Sequence, residues 1–125
     1  MASLGFEKLE VYRLSEKLAD RIWKLVLGWN IFARDTVGKQ LVKATDSICA
    51  NIAEGSGRYH YNDNKRFVRI ARGSLYETHN WLRRAYRRQL IDAEGASFLT
   101  PLLQELRPRL NAYLKSIGPT DANNK

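Results

Sequence analysis

Between Lys65 and Arg88 the chain carries eight basic side chains, Lys65, Arg66, Arg69, Arg72, Arg83, Arg84, Arg87 and Arg88, against one acid, Glu77. Their spacing places them together on one side of a predicted helix, because side chains return to the same face every 3.6 residues. The chemistry this suits is phosphate binding. A guanidinium presents a planar fork of donors that matches two oxygens at once. At 1.5 Å of rise per residue, Arg66 to Arg87 extends over roughly 30 Å, long enough to follow several phosphates of a duplex or a folded RNA. Tyr76 and Asn80 lie among the cations and can stack on a base or bond a phosphate. The plainer reading is a solvated helix face, or arginines paired with acids such as Glu7, Glu10, Glu16 and Asp20 of another helix or subunit. Localisation favours a polyanion, since this segment accounts for seven of the eight net positive charges.

A second anion-binding candidate is Gly55-Ser56-Gly57-Arg58, where backbone amides and Arg58 could hold a phosphate. No strand precedes it and no Gly-Lys-Ser/Thr ending follows, so turn chemistry is the simpler reading, with Gly55 and Gly57 adopting positive φ to reverse the chain. Catalytic groups are sparse. His60 and His79 are not three or four residues apart, and a single cysteine, Cys49, gives no metal pair. Ser47, Ser56 and Ser74 lack a nucleophile-elbow context. The sequence therefore predicts no metal, no cofactor, no small-molecule substrate and no enzymatic activity. Cys49 sits among Ile48, Ala50 and Ile52, as a packed apolar group in a reducing compartment would, and a cytoplasmic protein is expected. Glu7 and Glu10 interrupt any early apolar run, and Leu25-Val26-Leu27 is far too short to span a bilayer, so no membrane partner is expected.

Four helices must position these groups. In the first, Val11, Leu14, Leu18, Ile22, Leu25 and Trp29 form the core row, and Tyr12, Ala19, Trp23 and Val26 form a second row beside it. One core seldom needs so wide an apolar arc, so the second row is predicted to be a subunit interface rather than a ligand pocket. Gly28 and Asn30 end this helix. Arg34-Asp35-Thr36 can cap the next, with Val37, Leu41, Ala44, Ile48 and Ile52 facing the core. The third runs from about Asn62 or Asp63 to Arg88, burying Phe67, Ile70, Ala71, Ser74, Leu75, Thr78, Trp81, Leu82 and Ala85. Gly73 and Ser74 are expected to allow close helix approach there. Asp92 can cap the fourth, but Pro101 and Pro108 predict a kink or a late start with Thr100 as cap. With 125 residues, short connections and no strand signal, the fold class is all-α, an antiparallel up-down four-helix bundle. It forms one domain over 1–118, followed by a disordered polar tail over 119–125.

Asn51-Ile52-Ala53-Glu54-Gly55, Gly57-Arg58, Arg66-Phe67, Ala71, Gly73-Ser74-Leu75 and Glu77, preceded by Phe6, Leu9 and Val11-Tyr12, closely resemble the four-helix-bundle proteins encoded within intervening sequences of bacterial large-subunit ribosomal RNA genes. The resemblance spans about Phe6 to Ile117 and is similar to accessory proteins of diversity-generating retroelements. It implies a homopentamer with a basic surface and no known enzymatic activity. For the retroelement relatives it further implies nucleic-acid binding with a reverse transcriptase as partner. Cys49 stands where a proline is common, and Pro101 and Pro108 depart from the usual fourth helix. In the signature, Asn51, Glu54, Gly55, Gly57 and Gly73 are read as structural, a semi-buried Asn51 fixing helix register. The function expected is binding of structured RNA or DNA through Arg58 and the eight cations. The alternative is a protein-interaction scaffold whose basic face meets an acidic partner.

Overall fold

Val11, Leu18, Ile22 and Val26 line one side of the first long helix, α1 (Glu10–Leu27), and all are buried. Each such side chain withdrawn from water contributes on the order of 1.5–3 kcal/mol, so the periodic rows decide how the helices assemble. In the computed structural model, which describes residues 2–119, α1 is followed by α2 over residues 31–56, α3 (Tyr61–Arg87) and α4 (Ala93–Ser116). A short 3-10 turn, Phe6–Lys8, precedes α1, and no strand occurs among the described residues. Residues 120–125, most of the expected tail, lie outside the described residues.

Each helix touches the next in sequence, and α1 also touches α4, whereas α1 and α3 do not meet, nor do α2 and α4. The four rods therefore enclose one core, with Leu18, Ile22, Leu41, Ile48, Ile52, Leu106 and Leu110 fully buried at its centre. At the ends, Arg109 of α4 pairs with Glu10 of α1 at 2.6 Å, while Arg21 donates to the Phe98 carbonyl at 3.1 Å and lies over that ring.

Several boundaries differ from the sequence-based expectation. The cap of α2 is Asn30, whose side chain accepts the Ala33 amide at 3.0 Å, not the Arg34-Asp35-Thr36 stretch. Arg34–Gly38 instead forms a π-helical turn inside α2. Gly38 lies there because a Cβ would come within 2.6 Å of Val26 Cγ1 and 3.2 Å of the Ala33 carbonyl. In α4 the late start fails: Asp92 caps the helix by accepting from the Gly95 amide at 2.7 Å, and the Thr100 hydroxyl bonds back to Ala96. Pro101 and Pro108 lie seven residues apart, both exposed and inside the helix, on the side where solvent can satisfy the carbonyls deprived of a donor. Ile70 is 42% exposed and Val68 takes the core position on α3.

The glycine expectations also change. Neither Gly55 nor Gly57 has positive φ; Gly57 is the C-cap of α2 at φ −86° and Gly55 lies within the helix. What Gly55 provides is space: a Cβ there would meet Asn64 Oδ1 at 2.6 Å and Phe67 Cβ at 2.9 Å. Gly73 has nothing within 4 Å of its virtual Cβ, so it permits no close approach. Gly55→Ala should therefore cost about 1–3 kcal/mol by overpacking. Gly73→Ala, on the exposed face of α3, should instead stabilise by up to about 1 kcal/mol through helix propensity. Urea unfolding followed by far-UV circular dichroism should show the two midpoints moving in opposite directions.

Candidate functional site

The outer face of α3 is set by what its other side buries. Phe67, Val68, Ala71, Ser74, Leu75, Thr78, Leu82 and Ala85 face the core, so residues half a turn away must face water. The helix is also oriented favourably for its charges, with Asp63 in the first turn and Arg84 and Arg87 in the last, each opposite in sign to the local end of the helix dipole.

Arg66, Arg69, Arg83, Arg84, Arg87 and Arg88 are exposed, and Lys65 and Arg72 are half-buried. Among the described residues none of these eight enters an ion pair; the pairs that form are Arg58 with Glu54 and Arg109 with Glu10 and Glu105. The acids considered as structural partners are engaged elsewhere or remote: Glu10 holds Arg109, and Glu7 accepts the Leu4 amide. Arg72 leans onto α4, donating to Asn111 Oδ1 at 3.2 Å. Arg58 and Arg66 both lie over the Phe67 ring, at 4.6 and 4.8 Å from its centre, which brings the inter-helix turn and the start of α3 into one cationic cluster. Arg83, Arg84, Arg87 and Arg88 form a second cluster. The eleven residues from Arg72 to Arg83 correspond to about 16 Å along the axis.

Between α3 and α4 the surface dips. Leu75, Tyr76, His79, Leu103 and Arg107 line a depression of about 180 Å³. His79 and Leu103 also line a neighbouring one of about 170 Å³, with Arg83 and Tyr86 at its rim. Both fall below the roughly 300–1,000 Å³ typical of small-molecule pockets. Sequence reasoning missed this groove because Leu103 and Arg107 lie on another helix, 20 to 35 residues from Arg72 and Arg83; the signal present was only the chain of aromatic and basic residues along one edge of α3.

Residues 7–112 match the 23S rRNA-intervening sequence protein family. The chain belongs to that family. Its fold is similar to the crystal structure of a protein of unknown function from the S23 ribosomal protein family of Bacteroides thetaiotaomicron. The two are 25% identical with a TM-score of 0.75, the match covering 85% of this chain and 99% of that one. None of the curated proteins compared with this chain matches it. The matched range agrees with the span from Phe6 to Ile117 over which the sequence resembles the family.

Within the family signature, Asn51 donates to the Ser47 carbonyl at 2.8 Å and to Ser47 Oγ at 3.0 Å, and Ser47 Oγ meets Ser74 Oγ of α3 at 2.9 Å. The amide thus orients a hydroxyl pair that bridges α2 and α3, and Glu54 holds Arg58 at 2.9 Å. Of the row expected at a subunit interface, Ala19 and Val26 are buried within the protomer, Val26 against the Gly38 turn, so neither is free to meet another copy. Tyr12 is half-buried, edge-on to Phe6 at 4.8 Å, and Trp23 is 54% exposed. Leu27, Ile31 and Phe32, unremarked in the sequence, are exposed beside it around the α1–α2 turn.

Burial pushes the Cys49 thiol above its ordinary range, a shift that a hydrogen bond with Ser15 partly offsets and the nearby Asp46 and Glu16 carboxylates reinforce. Burial, with Glu16 alongside, likewise raises Tyr12 to about 12. A raised thiol pKa leaves less thiolate at a given pH. Alkylation of native Cys49 by iodoacetamide, followed by mass spectrometry, should accordingly be slower than that of the urea-unfolded chain at pH 8. The ratio should narrow as pH rises through the folded value.

Proposed function

We propose that this family member is a non-enzymatic, homo-oligomeric four-helix bundle that binds structured nucleic acid through α3, with Arg58 joining the cluster at its start. The observation that carries the reading is a face of eight cations, six of them exposed, with no ion pair among the described residues. Charges with a structural task are satisfied by carboxylates, as Arg109 is, whereas these stand ready for an anion from outside. Arginine predominates, which favours phosphate over a generic negative surface. The family's name links its members to 23S rRNA, a polyanion of the matching class. Cytoplasmic residence accords with this reading, and no helix among the described residues is long and apolar enough to cross a membrane.

The same reading takes the helices as antiparallel in up-down order. The pairing of early Glu10 with late Arg109 and of late Arg21 with early Phe98 supports it for α1 and α4, and the late Gly55 of α2 against the early Asn64 and Phe67 of α3 supports it for that pair. Self-association, pentameric by the family resemblance, is supported by apolar side chains left in water near the α1–α2 turn: Trp23 54%, Leu27 54%, Ile31 70% and Phe32 78% exposed. Large apolar side chains exposed within one short stretch of chain commonly mark an interface. Repetition of the cationic face around an oligomer would add weak phosphate contacts through avidity.

Affinity for a structured RNA should fall steeply with salt, by about 10³-fold between 50 and 200 mM if six phosphates are contacted. Arg69→Glu, Arg83→Glu and Arg87→Glu together should abolish binding in fluorescence anisotropy without altering the mass seen by light scattering. Unchanged affinity in the triple variant would remove α3 as the binding face, and recovery of an acidic protein but no nuclease-sensitive material in a pull-down would favour a scaffold. Separately, Trp23→Glu with Phe32→Glu should reduce the scattering mass toward the protomer's 14.4 kDa while the far-UV spectrum stays helical.

A further inference from the structure

Along the α4-facing edge of α3, Arg72, Tyr76, His79, Arg83 and Tyr86 follow one another at steps of four, three, four and three residues. Such steps keep side chains in one line, about 4.5–6 Å apart along the axis. The line interleaves two cations, Arg72 and Arg83, with three rings, Tyr76, His79 and Tyr86. Tyr76 and Tyr86 are 59% and 49% exposed, so neither ring is used in packing the protomer core. Beside them the groove floor is apolar, Leu75 and Leu103 in one depression and Leu82, Leu99 and Leu103 in the next, with Arg107 of α4 on the far wall. Among the described residues no carboxylate lines either depression.

Resting on the nucleic-acid reading above, we propose that this groove holds an unpaired strand, with bases against Tyr76 and Tyr86 and phosphates on Arg72, Arg83 and Arg107. A duplex keeps its base faces inside the stack and offers a protein only edges and backbone. A ring lying in a line of cations gains from nucleic acid when the base face is free to cover it. The depressions, about 180 and 170 Å³, suit one planar group each rather than an extended small molecule. The absence of carboxylates lets the backbone run along the rim without repulsion, and the leucine floor favours an aromatic base over a wholly polar peptide. The occupant is therefore a single-stranded loop or tail, and the structured RNA bound by the rest of α3 presents it.

The test compares a labelled oligouridylate with an RNA duplex of equal length at one salt concentration, using the full chain. The single strand should bind more tightly. Tyr76→Ala with Tyr86→Ala should weaken it roughly thirtyfold or more, since each lost base stack accounts for about five- to hundredfold, and leave duplex affinity unchanged. Tyr76→Phe with Tyr86→Phe should restore most of the loss, because the ring and not the hydroxyl does the stacking. Arg83→Glu should weaken both ligands. Equal affinities that ignore the tyrosines would overturn the groove proposal while leaving nucleic-acid binding intact. Failure of both RNAs alongside tight binding of polyglutamate would overturn the groove and the nucleic-acid reading together. Far-UV spectra of each variant should match that of the parent chain, showing that the helices stay in place.

Discussion

The seating of α3 on α2 is the constraint on which the rest of the molecule depends. Gly55 lets the backbone of α2 come so near Asn64 and Phe67 that even a methyl group would collide. Further along, Ser47 and Ser74 join hydroxyls at 2.9 Å under the control of Asn51. Two contacts separated along a pair of rods fix both their spacing and their rotation. Rotation is the consequential part. With Ser74 and Thr78 turned inward, Lys65, Arg69, Arg83 and Arg87 must turn outward, because about 100° separates consecutive residues. The stretch that carries the family resemblance is thus mainly the joint that aims the cationic face, and it joins that face directly through Arg58 and Arg66.

Burying polar groups at this joint has a cost that is met locally. Thr78 Oγ1 donates to the Ser74 carbonyl and Thr45 Oγ1 to the Leu41 carbonyl, so these buried hydroxyls remain bonded inside their own helices. Two polar atoms are exceptions: Trp29 Nε1 and Asn64 Oδ1 are buried without a partner. Asn64 Oδ1 is also the atom that a Gly55 side chain would strike, so the tightest point of the turn is also the least satisfied. An unpaired buried acceptor costs on the order of 1–3 kcal/mol, tolerable beside a core of about twenty apolar side chains and consistent with packing, not polar bonding, holding α2 to α3.

Much of this was legible in the sequence. Helices with rows at three- and four-residue spacing gave the class, the cap at Asp92 and the two-sided character of α3, because amphipathic periodicity is a local property carried by residues close in sequence. The family resemblance was legible too, and the family match bears it out. What was not legible depends on distances between helices. The role of Gly55 is steric and set by Asn64 on another helix. Gly73 looked equivalent and is not, since only packing distinguishes a glycine beneath a neighbour from one facing water. Ala19 and Val26 looked surplus to a single core because the π-helical turn, which brings Gly38 against Val26, has no local signature. The α3–α4 groove joins residues about thirty apart in sequence and was invisible for the same reason.

The charge pattern on α3 has a cost in the free protein. Lys65 with Arg69, Arg83 with Arg87, and Arg84 with Arg88 are like-charged neighbours at i, i+4, and Arg69 with Arg72 and Arg84 with Arg87 stand at i, i+3. Each such pair destabilises an exposed helix by about 0.2–0.5 kcal/mol, so these five together oppose folding by roughly 1–2.5 kcal/mol. Elsewhere the chain uses the opposite arrangement, placing Glu54 four residues before Arg58 and Glu105 four before Arg109. The means of neutralising an arginine locally is therefore present in this sequence and is not applied along α3. A bound polyanion converts each repulsive pair into two attractive contacts with a shared phosphate backbone. On the proposed binding, repulsion within α3 raises the free energy of the unbound state and not of the bound one, which increases the advantage of binding without any additional contact.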